Sequence, residues 1–391
     1  MSKIAFFCIP AFGHTNPTLE VVKELIKRGN EVWYYSCNMM KECIEATGAK
    51  FISCDKYGMQ KSFAPENFVR MGKNVVYCKE VLANMTLALE EAITEDMKNW
   101  QPDCIVSDSF AYWGKMIALK LGIPFISSTT TFALNKYSTR VIQESFGQKI
   151  KMLFSMRKAI KSLKKLRAKG YPAKGVNSVL SDDNDTDTIV YTSSEFQPYS
   201  ETFSDKYAFV GPSIRQLNHE VQKLENKTIY ISLGTVNNQN IAFFQNCIKA
   251  LKDTEWDVIM SIGTVIDRTV LGEIPANFRV EQRVEQIEVL QQVDMFLTHC
   301  GMNSVNEALY YGVPLILFPQ SSEQRGVAWC VNEVGAGVYL KKNSVGAIKE
   351  AIEIITQNEN YRVNAKKIAE SFHSCGGPKM AADKIISCCK K

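Results

Sequence analysis

The 391-residue chain holds only four histidines, and two of them stand where an apolar strand gives way to a polar turn. His14 follows the strand IAFFCIP, in AFGHTNP, and His299 closes DMFLTH before the turn CGMNS. An imidazole titrates near neutrality, at about 6.5, so His14 can take a proton from a hydroxyl. Asp108, at the end of DCIVSD, could hold the other ring nitrogen, fixing the tautomer and stabilising the imidazolium. By itself an Asp at that place is usually a helix N-cap. Behind His299 come Gly301, Asn303 and Ser304, then Glu307 one turn further on. A helix start with N–H groups pointing outward suits a phosphate. The Glu307 carboxylate is a poor phosphate partner but a good acceptor for ribose hydroxyls. Together they point to a nucleotide diphosphate rather than free phosphate.

These residues need elements to carry them to one place. IAFFCIP reads as a buried strand, a helix follows from about Pro17 to Lys27, and EVWYYS is the next strand. DCIVSD, PFISST and TIVYTS continue the series. Short apolar strands alternating with longer amphipathic segments predict a parallel, doubly wound α/β sheet. The rhythm pauses over Phe209 to Asn226, which is polar and carries Gly211-Pro212. It restarts with TIYISLG, DVIMSIG, FRVEQ, DMFLTH and PLILFP. Two domains of one plan are expected: 1–211, a linker over 212–227, and 228–372, with a helical tail over 373–391 that could pack back on the first domain. Ligands of such sheets gather at the carboxyl ends of the strands. The polar residues fall there: Gly13-His14, Asp108 and Ser127–Thr130 in the first half, and Gly234-Thr235, Gly263, His299 and Glu323 in the second.

The run from Arg283 to Gln324, RVEQIEVLQQVDMFLTHCGMNSVNEALYYGVPLILFPQSSEQ, resembles the donor-binding signature of the UDP-dependent glycosyltransferases with the GT-B architecture, above all their bacterial macrolide-type branch. SLGT, HCGMNSxxE and a closing Glu-Gln occur in the family's order. The resemblance implies two Rossmann-like domains facing a central cleft. It implies transfer of a sugar, glucose first, from a UDP-sugar to a hydroxyl of a small, largely apolar acceptor, with inversion at the anomeric carbon. His14 and Asp108 match the family's catalytic dyad. Gly234, Thr235, Arg283, Val284, Gln286, His299, Gly301, Asn303, Ser304, Glu307, Glu323 and Gln324 match its donor site. The family often has Trp-x-Pro-Gln where this chain has Arg283-Val284-Glu285-Gln286; a guanidinium can also stack on a base. Its closing pair is commonly Asp-Gln, here Glu323-Gln324, one methylene longer. Acceptor pockets in the family are built from loops such as Lys56 to Met71 and Ala133 to Phe146. The rivals are a sugar-nucleotide epimerase of the same architecture and a non-catalytic UDP-sugar binder, neither of which needs the dyad.

No cofactor is expected beyond the donor substrate, and no metal. The acidic run Asp182, Asp183, Asp185 and Asp187 lacks the glycine and terminal glutamate of a calcium loop and reads as a solvated turn. The twelve cysteines show no CxxC pair and no zinc spacing, which fits reduced thiols in the cytoplasm. A formal charge of +5 is too mild to imply nucleic acid. No apolar run approaches the roughly 20 residues of a membrane helix. The first strand is too short and too broken by Pro10 and Gly13 for a signal peptide. Gln148 to Lys174 is basic throughout, with Leu153, Met156, Ile160 and Leu163 at helical spacing. A packed helix with a solvated basic face is the plain reading, and a membrane-surface helix or a rim for an anionic acceptor the sharper one.

Overall fold

The computed structural model describes residues 1–141, 146–180, 184–235 and 238–390, and over 146–154 its backbone only. The chain forms two compact units, Met1–Ile214 with Cys375–Lys391, and Arg215–Ser374.

The first unit is built on seven strands: β1 (Lys3–Phe7), β2 (Glu31–Ser36), β3 (Lys50–Ser53), β4 (Cys104–Asp108), β5 (Phe125–Thr129), β6 (Thr188–Val190) and β7 (Tyr207–Phe209). They lie in the order β3-β2-β1-β4-β5-β6-β7, and every pair is parallel. The second unit repeats the plan with β8 (Thr228–Ser232), β9 (Asp257–Ser261), β10 (Phe278–Glu281), β11 (Met295–Thr298), β12 (Leu315–Leu317) and β13 (Gly337–Tyr339). Their order is β10-β9-β8-β11-β12-β13, again all parallel. Strand order thus reverses between β1 and β4 in one sheet and between β8 and β11 in the other. At such switch points the loops leave on opposite faces and open a crevice for ligand.

Why these strands are continuous apolar runs follows from cover on both faces. In the first unit Ala5 and Phe7 point into one layer with Trp113, Leu82 and Leu166, while Ile4 and Phe6 point into the other with Val21, Leu25 and Ile385. The 26-residue helix Val75–Trp100 covers the first face. The helices Phe12–Lys27 and Gly377–Cys388 cover the second, so the last helix belongs to the first unit.

Several expectations need correction. The first helix begins at Phe12, not near Pro17. Pro17 sits in the second turn, where it withholds one N–H from the carbonyl four residues back. Phe209 ends β7 and is not linker. Lys56–Met71 is not a loop: it holds the helices Met59–Ser62 and Pro65–Lys73. In the basic helix Phe146–Ala168, Ile160 is 41% exposed, and among the described side chains Ala159, Leu163 and Leu166 are the buried apolar ones. The apolar face is turned toward those three because they pack on the helix Val75–Trp100. The Leu153 side chain, Asp182 and Asp183 lie outside the described residues.

Candidate functional site

In the first unit, β1 ends at Phe7, paired with Ser107 of β4, so the residues just past them are neighbours. Past β1 the chain turns into the helix Phe12–Lys27, which places His14 in its first turn. Asp108 is the last residue of β4. The His14 Nδ1 atom lies 3.1 Å from Asp108 Oδ1 and 2.9 Å from Oδ2. The Asp108 side chain is fully buried, and His14 keeps 14% of its side-chain surface. Backbone N–H groups of Ile9 and Phe110 donate to Asp108 at 3.5 and 3.2 Å, and the Cys8 thiol donates at 3.7 Å. These donors satisfy the oxygens of the buried carboxylate. Asp108 therefore serves the turn after β4 as well as the ring; the helix that follows begins only at Tyr112, with Ala111 as its N-cap. The Phe110 ring stands edge-on to the imidazole, centroids 4.9 Å apart. Beyond Phe110 a small pocket is lined by Ser109, Thr129, Thr131, Phe132, Leu180 and Tyr207, among others.

The second unit repeats the arrangement at β8 and β11, where Ser232 pairs with Thr298. His299 follows β11, and two glycines make room for it. A Cβ on Gly234 would come within 2.5 Å of the imidazole, and so would one on Gly301. Between them Cys300 is buried with φ 65, a left-handed conformation unusual for a residue with a side chain. Its N–H donates to Thr298 Oγ1 at 3.1 Å. The turn so formed delivers the chain to the helix Met302–Tyr310, whose N-cap Gly301 supplies no side-chain cap. Gly301 has no side chain with which to cap the first-turn N–H groups. Burial lowers His299 to about 4, a backbone hydrogen bond at Ser232 opposing it, so near neutrality it offers a neutral imidazole and not a cation.

Glu307 is bracketed by Gln286, whose amide nitrogen donates to its Oε2 at 2.5 Å and to Ser304 Oγ at 3.2 Å. The buried Tyr230 hydroxyl donates to Gln286 Oε1 at 3.2 Å. Burial pushes the Glu307 carboxyl up to about 7; donation from Gln286 works the other way. The residue as a whole remains half-exposed, so the carboxyl is withdrawn from bulk water yet reachable. Asn303 lies in the first turn of the same helix.

The remaining candidates are looser. Arg283 is exposed and Val284 half-buried, just before the helix Gln286–Gln292. The neighbouring Glu285 pairs with Arg215 at 2.5 Å. Thr235 is exposed beside Gly234, and Glu323 is exposed in the first turn of the helix Ser322–Glu333. Gln324 forms that helix's capping box: its Oε1 accepts from the N–H groups of Gln320 and Ser321 at 2.8 and 3.1 Å, and Ser321 Oγ accepts from its own N–H. Only its amide nitrogen remains for a sugar hydroxyl. Asp185 is exposed, and Asp187 faces Lys384 at 2.9 Å. Among the described residues no cluster could hold a metal ion.

Three residues of these clusters were not among the candidates, and Thr130 was among them only as the end of Ser127–Thr130, with no partner named. Tyr230 holds Gln286. Asn238, buried, donates to Gly234 O at 3.0 Å and occupies the space that a side chain at Gly263 would fill. Cys300 carries the strained turn. Only Gly263 gave a signal, since a glycine at a strand end often marks a close approach.

Comparison with known proteins shows the family. A family model described as erythromycin biosynthesis protein CIII-like, C-terminal domain, matches residues 245–388. The NDP-glycosyltransferase YjiC of Bacillus subtilis (strain 168) is 34% identical, over 99% of this chain and 97% of its own. The demethyllactenocin mycarosyltransferase of Streptomyces fradiae is 28% identical, over 98% of this chain and 86% of its own. Among solved structures, the calicheamicin glycosyltransferase CalG4 superposes with a TM-score of 0.80 at 27% identity, covering 99% of this chain and 98% of CalG4.

Proposed function

The chain belongs to the bacterial macrolide-type glycosyltransferases of the GT-B fold, and on that premise we propose that it moves glucose from UDP-glucose to a hydroxyl of a small, largely apolar acceptor. The observation that carries the reading is the His14 Nδ1 atom 2.9 Å from Asp108 Oδ2. A carboxylate cannot donate, so the nitrogen facing it bears the proton and Nε2 becomes the basic atom. Nε2 takes the acceptor's hydroxyl proton as the oxygen attacks C1 of the sugar. The new C1–O bond forms while the bond from C1 to the UDP oxygen breaks, and its electron pair leaves with the diphosphate. Attack from the face opposite the leaving group inverts the anomeric carbon. Asp108 stabilises the imidazolium. In the second unit, the start of the helix Met302–Tyr310 and the neutral His299 N–H meet the diphosphate's growing charge without a metal. Glu307 accepts from the ribose hydroxyls, with Gln286 and Ser304 holding it.

The acceptor class rests on the relatives, whose names speak of demethyllactenocin and calicheamicin; the pocket near Phe110 offers Phe132 and Leu180 beside the hydroxyls of Ser109, Thr129 and Thr131. A sugar-nucleotide epimerase would need acid–base residues around the bound sugar and no acceptor chamber, and a non-catalytic binder would not need the dyad; the match of His14 and Asp108 to the transferases' dyad argues against both. The twelve free thiols suit a reducing cytoplasm. No helix among the described residues is long and apolar enough to cross a membrane. The basic helix face is read as solvated.

The test is a mass-spectrometric acceptor screen with UDP-glucose and EDTA present. Products heavier by one hexosyl residue, of inverted configuration and absent with His14→Ala, are expected. Turnover that needs added Mn²⁺ or Mg²⁺, or glucosyl products of retained configuration, would overturn the mechanism.

A further inference from the structure

His14 Nδ1 has a second oxygen partner. Thr130 Oγ1 lies 2.9 Å from it, on the loop past β5, the strand whose Ser128 pairs with Asp108. Thr130 is 2% exposed. We propose that Thr130 is a positioning residue for the base, its hydroxyl oxygen sharing the Nδ1–H with Asp108. This rests on the reading of His14 as the base.

Nδ1 has one proton to offer, and a carboxylate can only accept it. With the proton there, Thr130 also serves as acceptor, giving a three-centre bond. Two acceptors on strands β4 and β5 fix the ring's rotation better than one. Phe110 supports the ring edge-on. The effect is larger in the transition state than before it. As Nε2 gains the acceptor's proton, the Nδ1–H turns more acidic and its bonds become charge-assisted. An oxygen that stabilises the cation more than the neutral ring raises the base strength of Nε2. Removing it should therefore weaken the base and slow the chemical step, while donor binding in the second unit is untouched.

The titratable groups facing the pair are few. On Asp108's far side stands Cys8, raised well above its usual value by burial. The phenols of Tyr34 and Tyr191, also raised by burial, lie beyond it. None of these titrates in the acid range. Glu307 of the donor site does, at about 7, so the pH profile is taken on kcat with UDP-glucose saturating.

The experiment compares Thr130→Val, which keeps the shape and loses the hydroxyl, with Thr130→Ser, which keeps the oxygen. Rates are measured across pH on one acceptor from the screen, together with UDP affinity and melting temperature. Thr130→Val should lower kcat about tenfold and move the acid limb to lower pH. UDP affinity should be unchanged, and Thr130→Ser should restore both rate and limb. If Thr130→Val matches the wild type, or loses rate with an unmoved limb, the residue acts only through packing and the proposal fails. His14→Ala, run alongside, separates the two readings. Full activity there removes the base itself, whereas a dead His14→Ala with a normal Thr130→Val sinks only the role of Thr130.

Discussion

At Glu307, burial and binding pull in opposite directions. A carboxyl raised to about 7 is half protonated at neutral pH, yet ribose hydroxyls need the anion as acceptor. Nucleotide binding should therefore release a proton, and UDP affinity should rise from pH 6 to pH 8. UDP's own phosphate ionises over the same range, so Glu307→Gln is the control, and calorimetry should show a shallower rise in it. For stability the sign is reversed. The folded carboxyl keeps its proton to a higher pH than the unfolded one, so the residue costs stability from about pH 4.5 upward. Glu307→Gln should melt higher than the wild type at pH 8, by at most about 3 kcal/mol, and equally at pH 4. The same carboxylate should distinguish UDP from 2′-deoxy-UDP by about five- to a hundredfold, the effect of leaving a buried acceptor unmet. Equal affinities would remove the ribose role. His14→Ala should cut transfer by about 10²–10⁴-fold with UDP affinity unchanged, provided the acceptor hydroxyl is not acidic enough to ionise unaided. At this scale the sequence was readable where a residue type is rare and sits at a strand end, as with His14 and Asp108. It was silent on Tyr230 and Asn238, and it named Thr130 only within Ser127–Thr130 with no partner, because a threonine, a tyrosine or an asparagine at such places has many ordinary uses. Gln286 and Gln324 show a further gap. Both were read as donor contacts, but a side-chain amide has more than one bond to give. The structure turns Gln286 toward Glu307 and half of Gln324 toward a capping box. That box was itself legible as Ser321-x-x-Gln324.

The strand-to-helix turn after β11 works as a unit because its residues leave space for one another. A Cβ at Gly234 or Gly301 would stand 2.5 Å from the His299 ring, and Gly234 also holds φ 74, where an alanine is strained. Gly234→Ala and Gly301→Ala should each displace the imidazole, weaken UDP by about tenfold or more, and reduce stability by about 1–3 kcal/mol. Cys300→Gly is the informative contrast. At φ 65 glycine relieves about 1 kcal/mol of backbone strain while losing a buried thiol of similar worth. UDP affinity should then stay within about twofold. If all three variants bind UDP alike, the turn does not set the donor site. The alternation of strands and helices was plain from sequence because each strand is buried on both faces. Two strands of three residues, Tyr207–Phe209 and Gly337–Tyr339, were not read, although Thr188–Val190 and Leu315–Leu317, just as short, were: an apolar run of that length cannot be told from a loop by its pattern alone. Pro17 misplaced a helix start because proline usually marks the first turn, and nothing local says that the helix has already begun.

For the whole molecule, the chain's path makes the first unit depend on residues far along the sequence. The chain leaves that unit after Ile214 and returns at Cys375. Ala381, Ala382, Ile385 and Cys388 are at most 3% exposed and share a core with Val21, Val22 and Leu25 of the helix that carries His14. Two ion pairs, Arg28–Asp383 at 2.5 Å and Lys384–Asp187 at 2.9 Å, fasten the helix Gly377–Cys388. They are partly exposed and add little. The apolar contact decides the outcome: burying these four side chains and the surface they cover is worth roughly 5 kcal/mol, as much as the whole margin of many domains. Removing residues 375–391 should therefore loosen the first unit and leave the second, whose core at Ile229, Phe243 and Ile348 takes nothing from that helix. We expect transfer to be lost, UDP to bind within severalfold of wild type by calorimetry, and limited proteolysis to cut first within residues 1–214. Cleavage that begins in the second unit instead, or UDP binding lost together with transfer, would show that the two units do not fold as separate cores and that the last helix supports the donor site as well.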